Sequence, residues 1–212
     1  MKPSRLFPCQ AMELIRLQIG DLSDEEYRDG YRNMSASRRE KCDRYLHETD
    51  RKCCIAADWA VRRALSERFG ASPSEIEIRV TEQGKPYAPE LPVCFSYAHS
   101  GEQIVLALSK REVGADIERV RPVSPRITRY FCCEADLVYV FGAPNAPAVD
   151  LITDPDALSR LFEVWTFKEA LGKAWGTGLT RETKYAAFAD HQKLLARDGD
   201  YVLCAYECEE CI

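Results

Sequence analysis

The sequence predicts an α+β fold, and three observations carry that prediction. Helical and strand patterns come in blocks, helices before strands in each half, with no long strand–helix–strand series of the kind that builds a parallel sheet. The strand-like runs are short and joined by tight turns, which suits antiparallel pairing. The chain has 212 residues, 46% hydrophobic and 30% charged, enough for two lobes of roughly 100 residues each. We place the boundary between residues 1–108 and 109–212.

The elements follow in order. Glu13 to Ile19 is a short apolar run ending at Gly20-Asp21 and reads as the first strand. Asp24 to Met34 is helical, with acidic residues in its first turn. Ser35-Ala36-Ser37 caps a helix beginning near Arg38, and Thr49 or Asp50 caps a longer one that Gly70 stops after Phe69. Glu75 to Thr81 alternates as a strand, and Gln83 to Tyr87 is a turn. Val93 to Tyr97, Ile104 to Leu108 and Val113 to Ile117 are three further strands, the last two joined by a turn at Lys110-Arg111-Glu112. A helix opens near Pro125 and takes in Arg129, Phe131, Glu134 and Leu137. Residues 142–156 are rich in Pro, Gly, Asn and Asp and form a loop before the helix Ala157 to Trp175, which Gly176 stops. Tyr185 to Phe188, Lys193 to Ala196 and Tyr201 to Tyr206 close the chain as antiparallel strands.

Composition narrows the function. No apolar run is long enough to cross a membrane, and the start of the chain lacks the apolar core of a signal peptide, so we expect a cytoplasmic protein with no membrane partner. The ten cysteines are too scattered for a disulfide framework and read as reduced thiols. Cys204, Cys208 and Cys211 have a loosely metal-like spacing, but a closing strand using Cys as a small hydrophobe explains them better. A net charge of −5 argues against nucleic acid as a partner. Residues 28–68 nonetheless carry 11 Lys and Arg against 7 Asp and Glu, a local basic face suited to a small polyanion.

Two segments fifty residues apart carry the chemistry. In Gly114-Ala115-Asp116-Ile117-Glu118, a strand sends Asp116 and Glu118 to the same face. In Trp165-Thr166-Phe167-Lys168-Glu169-Ala170-Leu171-Gly172-Lys173, a helix stacks Glu169 and Lys173 one turn apart. On the helix wheel Glu169 lies beside Leu158, Phe162 and Trp165, opposite an apolar stripe of Val164, Phe167, Leu171 and Ala174, so it is expected to be buried. If strand and helix pack together, three carboxylates and one ammonium converge, the donor set of a Mg²⁺ phosphoryl-transfer site. Each feature also has an ordinary reading by itself. Asp116 and Glu118 suit a solvated strand end, Glu169 and Lys173 an i,i+4 ion pair, and the basic helix a solvated face.

Five segments in this order resemble a 4′-phosphopantetheinyl transferase of the surfactin-synthetase-activating (Sfp) type: Arg38 to Cys42, Gly84-Lys85-Pro86, Phe95 to Gly101, Gly114 to Glu118, and Trp165 to Lys173 followed by Gly176-Thr177-Gly178-Leu179. The resemblance runs from about residue 35 to residue 180. It implies a pseudo-twofold pair of similar α/β lobes with the site between them. It also implies transfer of the 4′-phosphopantetheine of coenzyme A to a serine of an apo acyl or peptidyl carrier protein, releasing 3′,5′-ADP, with Mg²⁺, or Mn²⁺ in its place, as cofactor. Asp116, Glu118 and Glu169 would hold the metal. Glu169 would help take the serine proton, directly or through a bound water, and Lys173 would contact the pyrophosphate. Arg38 and Lys41 would grip the 3′-phosphate, Lys85 and Pro86 would lie against the adenine, and His99 would meet a phosphate.

The chain departs from the family at two places. Ala98 stands where a hydroxyl residue usually precedes the histidine, so one phosphate hydrogen bond is missing or supplied by Ser96, Ser100 or water. Cys53 and Cys54 fall where a basic or hydroxyl residue is common, with Arg51 and Lys52 as flanking substitutes. The length resembles the monomeric, broad-range branch, whose carriers belong to fatty-acid, polyketide or nonribosomal-peptide synthesis. A non-catalytic module that binds coenzyme A or a carrier protein is the alternative, and the intact set of three carboxylates argues against it. No Gly-x4-Gly-Lys-Ser/Thr pattern supports an unrelated nucleotide hydrolase.

Overall fold

The structure, a computed structural model, describes residues 4–8 and 12–209, the first of these segments by its backbone alone. It is α+β with antiparallel sheets, and the chain divides into two compact units, residues 1–111 and 112–212.

The first unit opens with strands rather than helices, β1 (Ser4–Pro8) and β2 (Met12–Gln18). The helices α1 (Asp24–Asn33), α2 (Ala36–Asp43) and α3 (Glu48–Phe69) follow, then the short pair β3 (Arg79–Val80) and β4 (Pro86–Tyr87), then β5 (Cys94–Ser100) and β6 (Gln103–Ser109). The main sheet has the order β1-β2-β6-β5. Its residues Ile15, Leu17, Phe95, Ile104, Leu106 and Leu108 share one core with Ala56, Ala57, Ala60, Val61 and Leu65 of α3. Ser35 caps α2, its hydroxyl accepting from the Arg38 amide. The cap of α3 is His47, not Thr49 or Asp50, and Gly70 stops the helix in the left-handed conformation that its φ of 75° requires.

The expected strand at Glu75 to Thr81 shrinks to two residues, because its partner is only Pro86–Tyr87 and Pro has no N–H to extend the ladder. Residues 71–78 are instead held by Arg62. It is buried against Asp58 at 2.6 Å and donates to the carbonyls of Pro73 and Ile76. His99 also differs from expectation. It lies inside β5, paired with Ile104, two residues beyond Tyr97, where the expected strand ends.

The second unit begins with β7 (Val113–Arg119). The single helix expected from Pro125 is broken into a 3₁₀ turn at Pro125–Ile127, α4 (Thr128–Phe131) and α5 (Glu134–Phe141). The last break is fixed by Asp136, whose carboxylate accepts from the Cys133 amide and so starts a new helix there. α6 (Pro155–Trp175) is capped by Asp154 and stopped by Gly176. The short α7 (Arg181–Tyr185), β8 (Leu194–Asp198) and β9 (Tyr201–Glu207) complete the chain, and the sheet order is β7-β9-β8. Tyr185 to Phe188 is not a strand. Asp136 also accepts from the Phe188 amide, which turns this segment into the core beside α6.

The packing of β7 on α6 positions everything that follows. A methyl group at Gly114 would overlap the Ala170 carbonyl and come within 2.6 Å of the Ala174 nitrogen, so strand and helix touch backbone to backbone. At Gly172 a methyl would lie 2.5 Å from the Gly178 carbonyl, and the Thr177 and Gly178 amides both donate to the Gly172 carbonyl. The eight described cysteines are free thiols, and Cys204 and Cys208 are buried in the closing strand region. Cys211 lies outside the described residues. No helix among the described residues is long and apolar enough to cross a membrane.

Gly114→Ala is expected to cost about 3 kcal/mol of stability, the upper end for an overpacked core, since both colliding atoms are backbone. Urea denaturation checks this, and a loss below about 1 kcal/mol would mean that β7 and α6 part easily.

Candidate active site

In the second unit, Gly114 faces α6, and the two-residue period of β7 sends Asp116 and Glu118 to the same side. α6 answers with Trp165, Glu169 and Lys173, four residues apart along one stripe. The Trp165 indole donates to Glu118 at 3.3 Å, and Lys173 Nζ meets Asp116 Oδ1 at 2.6 Å and the Ala115 carbonyl at 3.2 Å. Arg121 approaches Glu118 to 3.5 Å. Phe131 stands edge-on to Trp165, with ring centroids 4.6 Å apart, and braces it from the far side.

Glu169 is half-buried, not buried as its place on the wheel suggests. It lies with Trp165 and Lys173 at the margin of the helix contact, so part of it stays in water. Lys173, its partner in the ordinary i,i+4 reading, pairs with Asp116 instead. Burial raises the Glu169 carboxyl above its ordinary value, Lys173 pulls it back, and Glu118 pushes it up again. Burial likewise pushes the Asp116 carboxyl up to about 7, against the pull of Lys173 and with a further push from Glu169 and Glu118. The three carboxylates therefore feel one another's charge. Among the described residues, however, no three His, Cys, Asp or Glu side chains stand close enough to hold an ion as they are. Asp116 Oδ2 is buried without a hydrogen-bond partner, an unmet demand that a cation would satisfy. Hard oxygen donors with one orphaned atom fit a divalent metal.

The truly buried polar residues of α6 are others. Lys168 is 0% exposed, and its ammonium meets Asp136 at 2.8 Å and the carbonyls of Lys184 and Ala186. Glu163 accepts from Tyr139 at 2.6 Å and from Arg197. Sequence reasoning missed Lys168, although a signal existed: at three and four residues from Leu171 and Val164, it sits within the apolar stripe.

The first unit carries the basic set. The Arg38 guanidinium lies 5.4 Å from the Tyr97 ring centre, and its Nε is buried without a partner. Lys41 is exposed. Arg39, by contrast, is committed to structure, donating to the carbonyls of Arg32 and Met34. By alternation His99 and Tyr97 share one face of β5, while Ala98, Ser96 and Ser100 share the other. Cys54 lies within the field of Arg38, though burial still pushes its thiol up to about 12. Cys53 donates to the Gly101 carbonyl at 3.3 Å. The two flanking cations are engaged elsewhere, Arg51 with Asp43 at 3.2 Å and Lys52 with Glu48 at 2.9 Å. Lys85 and Pro86 follow Gly84, whose φ of 86° makes the turn, with Thr81 and Lys85 joined through their backbones.

Two family models match this chain in succession. One, described as 4′-phosphopantetheinyl transferase, N-terminal, covers residues 22–111, and the other, the 4′-phosphopantetheinyl transferase superfamily, covers residues 112–204. The chain belongs to the 4′-phosphopantetheinyl transferase superfamily. It is 33% identical to a 4′-phosphopantetheinyl transferase of Bacillus subtilis over 148 residues, 69% of this chain and 62% of that protein. To 4′-phosphopantetheinyl transferase Sfp of Bacillus subtilis (strain 168) it is 29% identical over 160 residues, 75% of this chain and 67% of that one. To 4′-phosphopantetheinyl transferase AcpT of Escherichia coli (strain K12) it is 38% identical over 125 residues, 55% of this chain and 59% of that one. The match thus spans about three fifths to two thirds of these relatives' length.

The raised Asp116 carboxyl has a consequence for stability. In the unfolded chain it titrates near 3.8 and in the folded, metal-free protein near 7, so between these values the native state binds more protons. Stability should therefore fall as pH rises from about 4 to about 7. Asp116→Asn should flatten that part of the profile, as read from urea midpoints across the range. An unchanged slope would show that Asp116 does not titrate there.

Proposed function

We propose that this protein moves the 4′-phosphopantetheine arm of coenzyme A onto a serine of an apo carrier protein, leaving 3′,5′-ADP. The observation that carries this reading is the orphaned, buried oxygen of Asp116 within a set of three carboxylates and one ammonium on the β7–α6 face. Asp116, Glu118 and Glu169 are suited to hold Mg²⁺, or Mn²⁺ in its place. When bound, that ion neutralises pyrophosphate charge and eases departure of the leaving phosphate.

The chain's own residues do the rest. Glu169, raised by burial and half-open to water, is suited to accept the proton of the attacking serine, directly or through a water. Lys173 brings an ammonium to the leaving phosphate oxygens, where charge develops. Trp165, braced by Phe131, holds Glu118 in place through its indole N–H.

In the first unit, Arg38 and Lys41 take the 3′-phosphate. The unpartnered Arg38 Nε and the exposed Lys41 both have donors to give, and charge-assisted bonds of this kind contribute about 1.5–3 kcal/mol each. Lys85 and Pro86 lie against the adenine, and His99 donates to a phosphate. The hydroxyl lost at Ala98 is missing or replaced by Ser96 or Ser100, which share its strand face, or by a water. The protein acts as a cytoplasmic monomer on carriers of fatty-acid, polyketide or nonribosomal-peptide synthesis.

The deciding assay incubates the protein with coenzyme A, Mg²⁺ and a panel of apo carrier proteins, and reads the added mass by mass spectrometry. Asp116→Ala should lower turnover at least about a hundredfold, roughly 3 kcal/mol of transition-state stabilisation. Near-full activity in that variant would refute the carboxylate assignment. Separately, Arg38→Ala should weaken binding of coenzyme A while leaving dephospho-coenzyme A, which lacks the 3′-phosphate, nearly unchanged in calorimetry. Equal losses for both ligands would move the 3′-phosphate elsewhere.

A further inference from the structure

We infer that Lys173 is a built-in counter-ion that keeps divalent cations out of the carboxylate site until a phosphate-bearing co-substrate draws it away. The inference rests on the reading of Asp116, Glu118 and Glu169 as metal ligands. It adds an order of events: phosphate arrives before the metal or together with it.

The geometry is specific. Lys173 Nζ is 2.6 Å from Asp116 Oδ1 and 3.2 Å from the carbonyl of Ala115, acceptors on consecutive residues of β7. The ammonium is thus seated on the strand at the carboxylate a metal would use, while Asp116 Oδ2 stays buried with no partner. The lysine side chain is 31% exposed and that of Asp116 only 8%, so the cation has a route to water that the carboxylate lacks. An ammonium carries three donor protons and two are engaged, which leaves one for an incoming phosphate oxygen.

Charge gives the sign. With Lys173 in place, its ammonium occupies Asp116 and, with Arg121 beside Glu118, cancels part of the carboxylate charge, so a divalent ion meets a weaker attraction and a cation already seated on one of its ligands. Transfer of the ammonium from carboxylate to phosphate frees Asp116 at little electrostatic cost, because one anionic oxygen replaces another. The four-carbon stem of lysine permits that swing without backbone movement. Metal and coenzyme A then bind with positive coupling, and by linkage each favours the other to the same degree.

The test titrates Mn²⁺ alone, without coenzyme A, following free Mn²⁺ by electron paramagnetic resonance. Lys173→Met keeps the bulk and removes the charge, and should bind Mn²⁺ about tenfold or more tightly than wild type. Lys173→Arg keeps the charge and should bind as weakly as wild type. Adding Asp116→Asn to Lys173→Met should abolish the gain. Thermal unfolding confirms that each variant is folded, and Lys173→Gln replaces the Met variant if that one is not. Mn²⁺ binding that depends on Asp116 but is no tighter in Lys173→Met than in wild type overturns the counter-ion role and leaves the metal site standing. Absence of Asp116-dependent binding in every variant, even with coenzyme A added, overturns the metal reading and this inference with it.

Discussion

The second unit depends on a side chain that is not there. Gly114 brings β7 against the backbone of α6, and the period of two along the strand then leaves Asp116 and Glu118 no direction but toward the helix. Any larger residue at 114 would lift the strand, and the carboxylates would move away from Lys173 and Trp165 with it. Gly172 repeats the device one layer further along, where the chain after α6 folds back over the helix. Close backbone approach, more than any single ion pair, sets the geometry of the candidate site.

Two lysines five residues apart on α6 show how differently one helix treats a buried charge. Lys168 spends all three of its protons, on Asp136 and on two carbonyls, while Asp136 also accepts from two backbone amides. That pair is complete, as a buried ion pair must be to be tolerated. Lys173 and Asp116 form a pair of similar length, yet one carboxylate oxygen is left bare and the ammonium reaches water. Completeness marks the first as architecture. Incompleteness leaves the second with a hydrogen-bonding demand still unmet.

Much of this was legible in the residues. The α6 helix, its Gly176 stop, the Gly114 to Glu118 strand and the convergence of Asp116 with Lys173 follow from periodicity and spacing. What could not be read was decided by single side-chain bonds that the periodicity does not announce. Asp136 breaks the helix after Pro125 and pulls Phe188 out of an expected strand, and nothing near it in sequence announces that its partners lie 32 and 52 residues away. The burial of Glu169 was overestimated because a wheel shows which side a residue faces and not where the neighbouring strand ends. Small residues around His99 end the expected strand at Tyr97, whereas the pairing of His99 with Ile104 extends β5 through them. Arg51 and Lys52 looked free to serve the basic patch until Asp43 and Glu48 were seen to hold them.

The latch around Lys168 and Asp136 grips its surroundings almost entirely by main-chain atoms: the carbonyls of Lys184 and Ala186 and the amides of Cys133 and Phe188. A backbone carbonyl is the same whatever side chain it bears. Between these two carbonyls, a side chain that faces water can therefore change its chemistry, in charge, bulk or aromaticity, without disturbing the helix that carries Glu169. Exposed Tyr185 sits on just such a position. Anchoring a surface by its backbone separates the freedom to vary from the duty to hold, so this rim can drift through evolution while the chemistry behind it stays fixed.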